Sequence, residues 1–280
     1  MKLYNKEVKE IVRLINKEDD LINKSIKKNS KEIILTINKC LDTLYKNGRI
    51  IYIGAGTSGK VAMLDSSEIP ANFGEDLIDK FITLIAGGKE SLFSPFATTE
   101  DNKNLVIEDL KKINFSKNDL IIGISASGST PYVLSGIEYA NKIGSTTISI
   151  TNTKSTSPIQ EKSDISINSY VGEEIIYGST RMKAATCQKI ILNTISTTTM
   201  IKFGRVYNQM MINVKISNDK LYKRAIDIIM DITKEEKDKV CETLKISNNN
   251  VPISIIMIKY NVGKKEAEKI FKQNNWIKEL

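Results

Sequence analysis

Residues 51–70 read IYIGAGTSGKVAMLDSSEIP and residues 123–133 read GISASGSTPYV, two apolar runs that end in glycines and hydroxyls and open helical patterns. Glycines at a strand-to-helix turn let backbone N–H groups approach an anion at the helix N-terminus. Gly54, Gly56 and Gly59 spell G-x-G-x-x-G, and Gly54 to Lys60 also spell G-x-x-x-x-G-K. The ATP reading fails on chemistry. Position 61, where a hydroxyl should hold Mg²⁺, is Val61, and the best later strand ends in ISAS rather than in a metal-binding Asp. The dinucleotide reading fails one strand on, where Ala86-Gly87-Gly88-Lys89 replaces the acidic residue that would hold ribose hydroxyls. The second loop instead offers Ser125, Ser127, Ser129 and Thr130 around Gly128. Hydroxyls and amides with no required metal suit a phosphomonoester, and a sugar phosphate fits. A tight turn with no ligand is the alternative.

The chain contains no histidine, which removes every Ser-His or Cys-His nucleophile and every imidazole base. Acid–base chemistry near neutral pH then falls to carboxylates, lysines or tyrosines. Cys40, Cys187 and Cys241 lie far apart with no C-x-x-C pair, which argues against a disulfide framework and a zinc site. The formal charge of +8 is spread through a sequence rich in Lys, Asn and Ile. No basic stripe interleaves with aromatics, so nucleic acid is not an expected partner. No run approaches the roughly 18–20 apolar residues that span a bilayer, and the charged, helical start is not a signal peptide. A cytoplasmic protein with no membrane partner is expected.

Those loops need elements to hold them. Strand-like runs RIIYIGAG, FITLIAGG, DLIIGISAS, TTISITN and DISINSYVG alternate with helical stretches around 58–67, 101–113 and 130–143. Alternation of this kind implies a parallel sheet with helices on both faces, a three-layer α/β domain. Two helices precede it, within 8–15 and about 30–45. After Gly172 no further strand is expected; 179–206 reads as one helix apolar on most sides, buried in the core or against a partner. A helix over 216–232 and three short amphipathic ones follow, the last three a small helical appendage. The expected organisation is 1–48 as leading helices packed on the α/β domain, 49–232 as that domain, and 233–280 as a carboxyl-terminal helical domain.

The pair GAGTSG and SASGSTPYV resembles the sugar isomerase (SIS) fold. With LDSSEIP, IAGGKE, TTED and GSTRMKAATCQK added, the chain from about residue 8 onward resembles one family of that fold, the N-acetylmuramic acid 6-phosphate etherases. The resemblance implies a homodimer with pockets near its interface, and a reaction without metal or organic cofactor. Water and N-acetylmuramic acid 6-phosphate give N-acetylglucosamine 6-phosphate and D-lactate, by removal of the C2 proton, loss of lactate from C3 and hydration of the alkene. It implies Glu68 as proton donor to the departing lactate oxygen and Glu100 as the base at C2. It also implies that Ser58, Ser127 and Thr130 hold phosphate with their hydroxyls and that Gly56, Thr57 and Gly59 supply backbone. Lys60 stands where the family has arginine, and Arg181 and Lys183 are candidates to reach the pocket.

The chain departs from the family pattern at several points. Ser129 replaces an arginine inside the serine loop, Glu68-Ile69-Pro70-Ala71 replaces ECPP, and Ala97-Thr98-Thr99-Glu100-Asp101 replaces EGAED. A leading Thr-Glu-x-Arg-Asn segment is not found before Met1. These departures weigh on full activity more than on sugar-phosphate binding. They keep open a non-catalytic sugar-phosphate sensor, as in the related glucokinase regulatory protein, beside an aldose–ketose isomerase on the same scaffold.

Overall fold

The five apolar runs are strands in the computed structural model, which describes residues 2–94, 99–213, 216 and 218–272. They are β1 (Ile50–Gly54), β2 (Phe81–Ile85), β3 (Leu120–Ser125), β4 (Thr146–Thr151) and β5 (Ile165–Asn168), all parallel, in the order β2-β1-β3-β4-β5. Central strands covered on both faces lose the apolar–polar alternation, and β1 and β3 are buried at every position.

Helices cover both faces. On one, α5 (Leu105–Lys112), α6 (Pro131–Ile143) and α7 (Pro158–Glu161) share a core with Ile51, Ile53 and Ile121. On the other, α2 (Ser30–Tyr45) packs on β1, β3 and β5. Buried Ile33, Ile37, Cys40 and Leu44 recur at helical spacing along it. It follows α1 (Val8–Lys28). Among the described residues up to 202, the remaining α-helices are α3 (Gly56–Phe73), the short α4 (Glu90–Phe93) and α8 (Lys183–Lys202). The expected three-layer α/β fold is present.

Two compact units divide the chain: Met1–Ser66 with Lys80–Ser196, and Ser67–Asp79 with Thr197–Leu280. The second holds α9 (Asp219–Thr233), α10 (Lys237–Ile246), α11 (Val251–Tyr260) and α12 (Lys264–Lys272). Ala225, Ile226, Ile229 and Ile232 of α9 share one apolar core with Val240, Leu244, Ile255 and Ile256. The boundary expected at Thr233 therefore moves earlier, because α9 buries its face against α10 and α11. Within this unit Arg205 makes two hydrogen bonds to the Asp76 carboxylate, at 3.0 and 2.7 Å, beside the Phe203 and Phe271 rings.

Two expectations need correction here. Strands do not stop at Gly172, since Val206–Tyr207 (β6) pairs antiparallel with Met210–Met211 (β7), each too short to show a period. The helix expected over 179–206 is shorter: the Glu174 carboxylate accepts from the Lys183 and Ala184 amides at 3.2 and 3.0 Å and fixes its start. Of the two settings expected for that helix, the core is the one found. Cys187, Ile191, Leu192 and Ile195 are already fully buried within the chain.

Candidate functional site

In the first unit, β1 neighbours both β2 and β3, so the chain order reverses between β1 and β3. A crevice opens at the carboxyl ends of strands at such a switch point. Gly54 pairs in register with Ile124, so the glycine loop and the serine loop leave the sheet side by side.

The three glycines of the first loop have separate causes, Gly59 being fixed by Ile85, whose Cγ1 would lie 2.5 Å from a Cβ there. A Cβ on Gly54 would lie 2.8 Å from the Gly59 nitrogen, so strand and helix backbones touch there. Gly56 has φ +52° with open space where its Cβ would be. The first bond of the α3 ladder runs from the Gly59 N–H to the Ala55 carbonyl at 3.2 Å. The amides of Gly56, Thr57 and Ser58 precede it and remain available to an anion at the positive end of an 18-residue helix. Thr57 and Lys60 are exposed, and Ser58 is buried.

The serine loop is built around one hydroxyl. Ser125 Oγ accepts from the Gly128 N–H at 3.1 Å and lies 2.8 Å from Thr130 Oγ1 and 3.4 Å from Ser127 Oγ. Ser125 is 2% exposed. In this structure its hydroxyl is engaged inside the loop, which it shapes. Ser127 and Ser129 are exposed, and the Ser129 hydroxyl donates to Ser127 Oγ at 3.2 Å. Thr130 is the N-cap of α6, followed by Pro131 at N1 as the sequence predicts. Gly128 has φ +67°, and a Cβ there would lie 2.2 Å from Ser157 Oγ, so the loop after β4 presses on this one.

Glu100 comes to the same place. Its backbone carbonyl accepts from the Tyr132 N–H at 2.9 Å, which ties it to the first turn of α6 just past Thr130. The Glu100 side chain is in an exposed residue. Thr98 of the TTED motif lies outside the described residues. Glu68 belongs to the second unit, exposed, with the Asn72 side chain donating to its backbone carbonyl at 2.9 Å.

Arg181 is exposed in the turn before α8. Lys183 is only 2% exposed, and its ammonium donates to Glu18 of α1 at 2.5 Å and to the Glu173 carbonyl at 2.6 Å. That argues against its candidacy for the pocket: the buried ammonium is already held in an ion pair. Removing the partner of a buried charge is the costly change. Glu18→Ala should therefore destabilise by about 3 kcal/mol. Lys183→Met leaves a Glu18 side chain that is 39% exposed and can hydrate. It should cost about 1 kcal/mol or less in urea unfolding. Equal costs, or the reverse order, would contradict this assignment.

One buried polar group was not singled out from the sequence. Asp65 of α3 is 4% exposed and accepts from Tyr52 Oη at 3.0 Å, Asn193 Nδ2 at 2.6 Å and Ser196 Oγ at 2.9 Å. Burial, reinforced by Asp65, pushes the Tyr52 hydroxyl well above its ordinary range and keeps it a donor. The network anchors α3, and with it Ser58, to β1 and α8. The available signal was a lone Asp amid apolar helical positions, opposite a strand Tyr.

The SIS domain matches residues 106–195, the glucokinase regulatory protein N-terminal SIS domain residues 32–141, and the C-terminal lid domain of that protein residues 208–248. Phosphoheptose isomerases from Neisseria gonorrhoeae (TM-score 0.52, 13% identity, 68% of this chain and 97% of that one) and Francisella tularensis (0.52, 14%, 68% and 98%) share the fold. Fold and loops thus define a SIS-domain protein.

Sequence relatives narrow the class. N-acetylmuramic acid 6-phosphate etherase of Clostridium botulinum strain Langeland is 43% identical over 96% of this chain and 88% of its own. The etherases of Bacillus licheniformis (41%; 98% and 89%) and Lactobacillus acidophilus (42%; 95% and 89%) are similar over the same span. The chain belongs to the N-acetylmuramic acid 6-phosphate etherase family.

Proposed function

We propose that this protein is an N-acetylmuramic acid 6-phosphate etherase, a carbon–oxygen lyase acting on a sugar phosphate in cell-wall sugar recycling. The observation that carries this is the convergence of two anion-ready loops and Glu100 at one switch point, in a chain 43% identical to a protein of that name. The α3 amides and the hydroxyls of Ser58, Ser127 and Thr130 hold the phosphate, with Lys60 adding a cation. The C2 proton is acidic when C1 is a carbonyl, in the open-chain sugar. Glu100 takes that proton, the electron pair forms the C2–C3 double bond, and the C3–O bond breaks. Glu68 protonates the lactate oxygen as it leaves. Water then adds at C3 and a proton returns to C2. Every step is acid–base chemistry that carboxylates perform, in a chain without histidine.

Phosphate binding is tested separately from chemistry. Ser127→Ala removes a charge-assisted hydrogen bond and should weaken N-acetylglucosamine 6-phosphate binding by about 1.5–3 kcal/mol in calorimetry. Unchanged affinity would remove Ser127 from the site. For the activity itself, the purified protein should release D-lactate from N-acetylmuramic acid 6-phosphate without converting hexose 6-phosphates to ketoses. Ketose formation without lactate would establish the isomerase instead.

A regulator is the second reading, favoured by the match of residues 208–248 to a lid domain of a regulatory protein. It predicts sugar-phosphate binding with no lactate. We read the enzyme as a cytoplasmic homodimer. Val8 and Val12 of α1, 77% and 50% exposed, support a partner surface. Among the described residues no helix is long and apolar enough to cross a membrane.

A further inference from the structure

The two loops at the switch point carry little charge for a ligand that carries much. A phosphomonoester bears about −1.5 to −2 near neutral pH. Residues 54–60 offer one cation, Lys60, and residues 123–133 offer none. Ser129 and Ser127 in the serine loop are neutral and exposed.

The next loop along the sheet does offer a cation. After β4 the chain reads Asn152-Thr153-Lys154-Ser155-Thr156-Ser157. This segment is fastened to the serine loop: the Asn152 N–H donates to the Ala126 carbonyl and the Ile159 N–H to the Gly128 carbonyl, each at 3.2 Å. The contact is close, since a Cβ on Gly128 would meet Ser157 at 2.2 Å and Thr153 Cγ2 at 3.1 Å. The residue before Lys154 is held from three sides. Thr153 donates its N–H to Asn168 Oδ1 at 3.0 Å, and its carbonyl accepts from Asn168 Nδ2 at 3.1 Å. Its hydroxyl accepts from Gln160 Nε2 at 3.0 Å and donates to the Ser155 carbonyl at 2.6 Å. Lys154 therefore stands on a fixed turn, exposed, with no ion pair to another described residue. A Lys stem that emerges from an ordered turn loses little more than its own rotamer entropy on pairing.

We infer that Lys154 is a phosphate-pairing residue of this site, supplying from the β4 loop the second cation that the serine loop lacks. The inference rests on the sugar-phosphate reading above and adds to it a residue outside both glycine–hydroxyl loops. Lys154 works as a point charge over the loop, with no part in proton transfer.

The probe is N-acetylglucosamine 6-phosphate, titrated calorimetrically into the full chain and its variants. Lys154→Met should raise Kd roughly fivefold at low salt, the upper range of an exposed ion pair. Lys154→Arg should restore affinity to within about twofold, since it keeps the cation. At about 1 M salt, where the screening length is near 3 Å, the gap between wild type and Lys154→Met should close. Lys117→Met is the control: it removes the same charge from an exposed position just before β3, at the opposite end of the strands. A Lys154→Met affinity equal to wild type, or a loss no larger than that of Lys117→Met, overturns the inference while leaving the sugar-phosphate reading intact. A wild type that binds no sugar phosphate overturns both.

Discussion

Glu100→Gln should lower lactate release from N-acetylmuramic acid 6-phosphate on the order of 10²–10⁴-fold, the usual worth of a positioned base. Exchange of the C2 proton with solvent deuterium should fall by a similar factor, because both events need the same proton removed. The amide keeps the shape of the carboxylate. The anchor of this segment is the Glu100 backbone carbonyl on the Tyr132 N–H, which the substitution leaves in place. Binding of N-acetylglucosamine 6-phosphate should therefore survive. If affinity and exchange collapse together, the segment has been displaced and the residue acts as a support. If lactate release stays near wild type, Glu100 is not the base.

Glu68→Gln should separate the two events. Loss of the proton donor raises the barrier to C3–O cleavage, again on the order of 10²–10⁴-fold. Proton removal at C2 precedes that step, so deuterium should still enter C2 if removal is reversible. Nuclear magnetic resonance of recovered substrate reads this directly. Exchange abolished along with lactate release would move Glu68 from acid to base and reverse the two assignments. The lack of histidine makes both tests sharp, since no imidazole can substitute for either carboxylate.

The sheet was legible in the sequence because buried parallel strands read as unbroken apolar runs between glycines. DLIIGISAS and TTISITN became β3 and β4 within a residue or two. The loops were legible for the same reason: glycines and hydroxyls at strand ends mark where backbone must bend and donate. Lengths were less so. Helix α3 extends from Gly56 to Phe73 rather than over 58–67. Its Asp65 and Ser66 look like surface residues but are buried on Tyr52 and Thr83, with Ser66 Oγ 2.7 Å from Thr83 Oγ1.

Residue types also reveal capacity without direction. Ser125 and Ser127 are two residues apart and chemically identical, yet one hydroxyl is buried in the loop and the other is in an exposed residue. Lys183 in a polar stretch reads as a solvent cation until the fold delivers Glu18, 165 residues away in sequence. The boundary expected at Thr233 failed similarly, because the face of α9 is amphipathic with either neighbour. Only packing assigns it to α10 and α11.

The central claim is that the protein cleaves the ether at its C3–O bond and remakes that bond with water. It is tested by incubating the protein with N-acetylmuramic acid 6-phosphate in water enriched in oxygen-18 and weighing both products. Cleavage at C3 leaves the ether oxygen on lactate and takes the new hydroxyl from solvent. The expected result is N-acetylglucosamine 6-phosphate heavier by one oxygen-18 and lactate of ordinary mass. Label in lactate would contradict cleavage at C3, and no lactate from a protein that binds the sugar phosphate would contradict the enzyme itself.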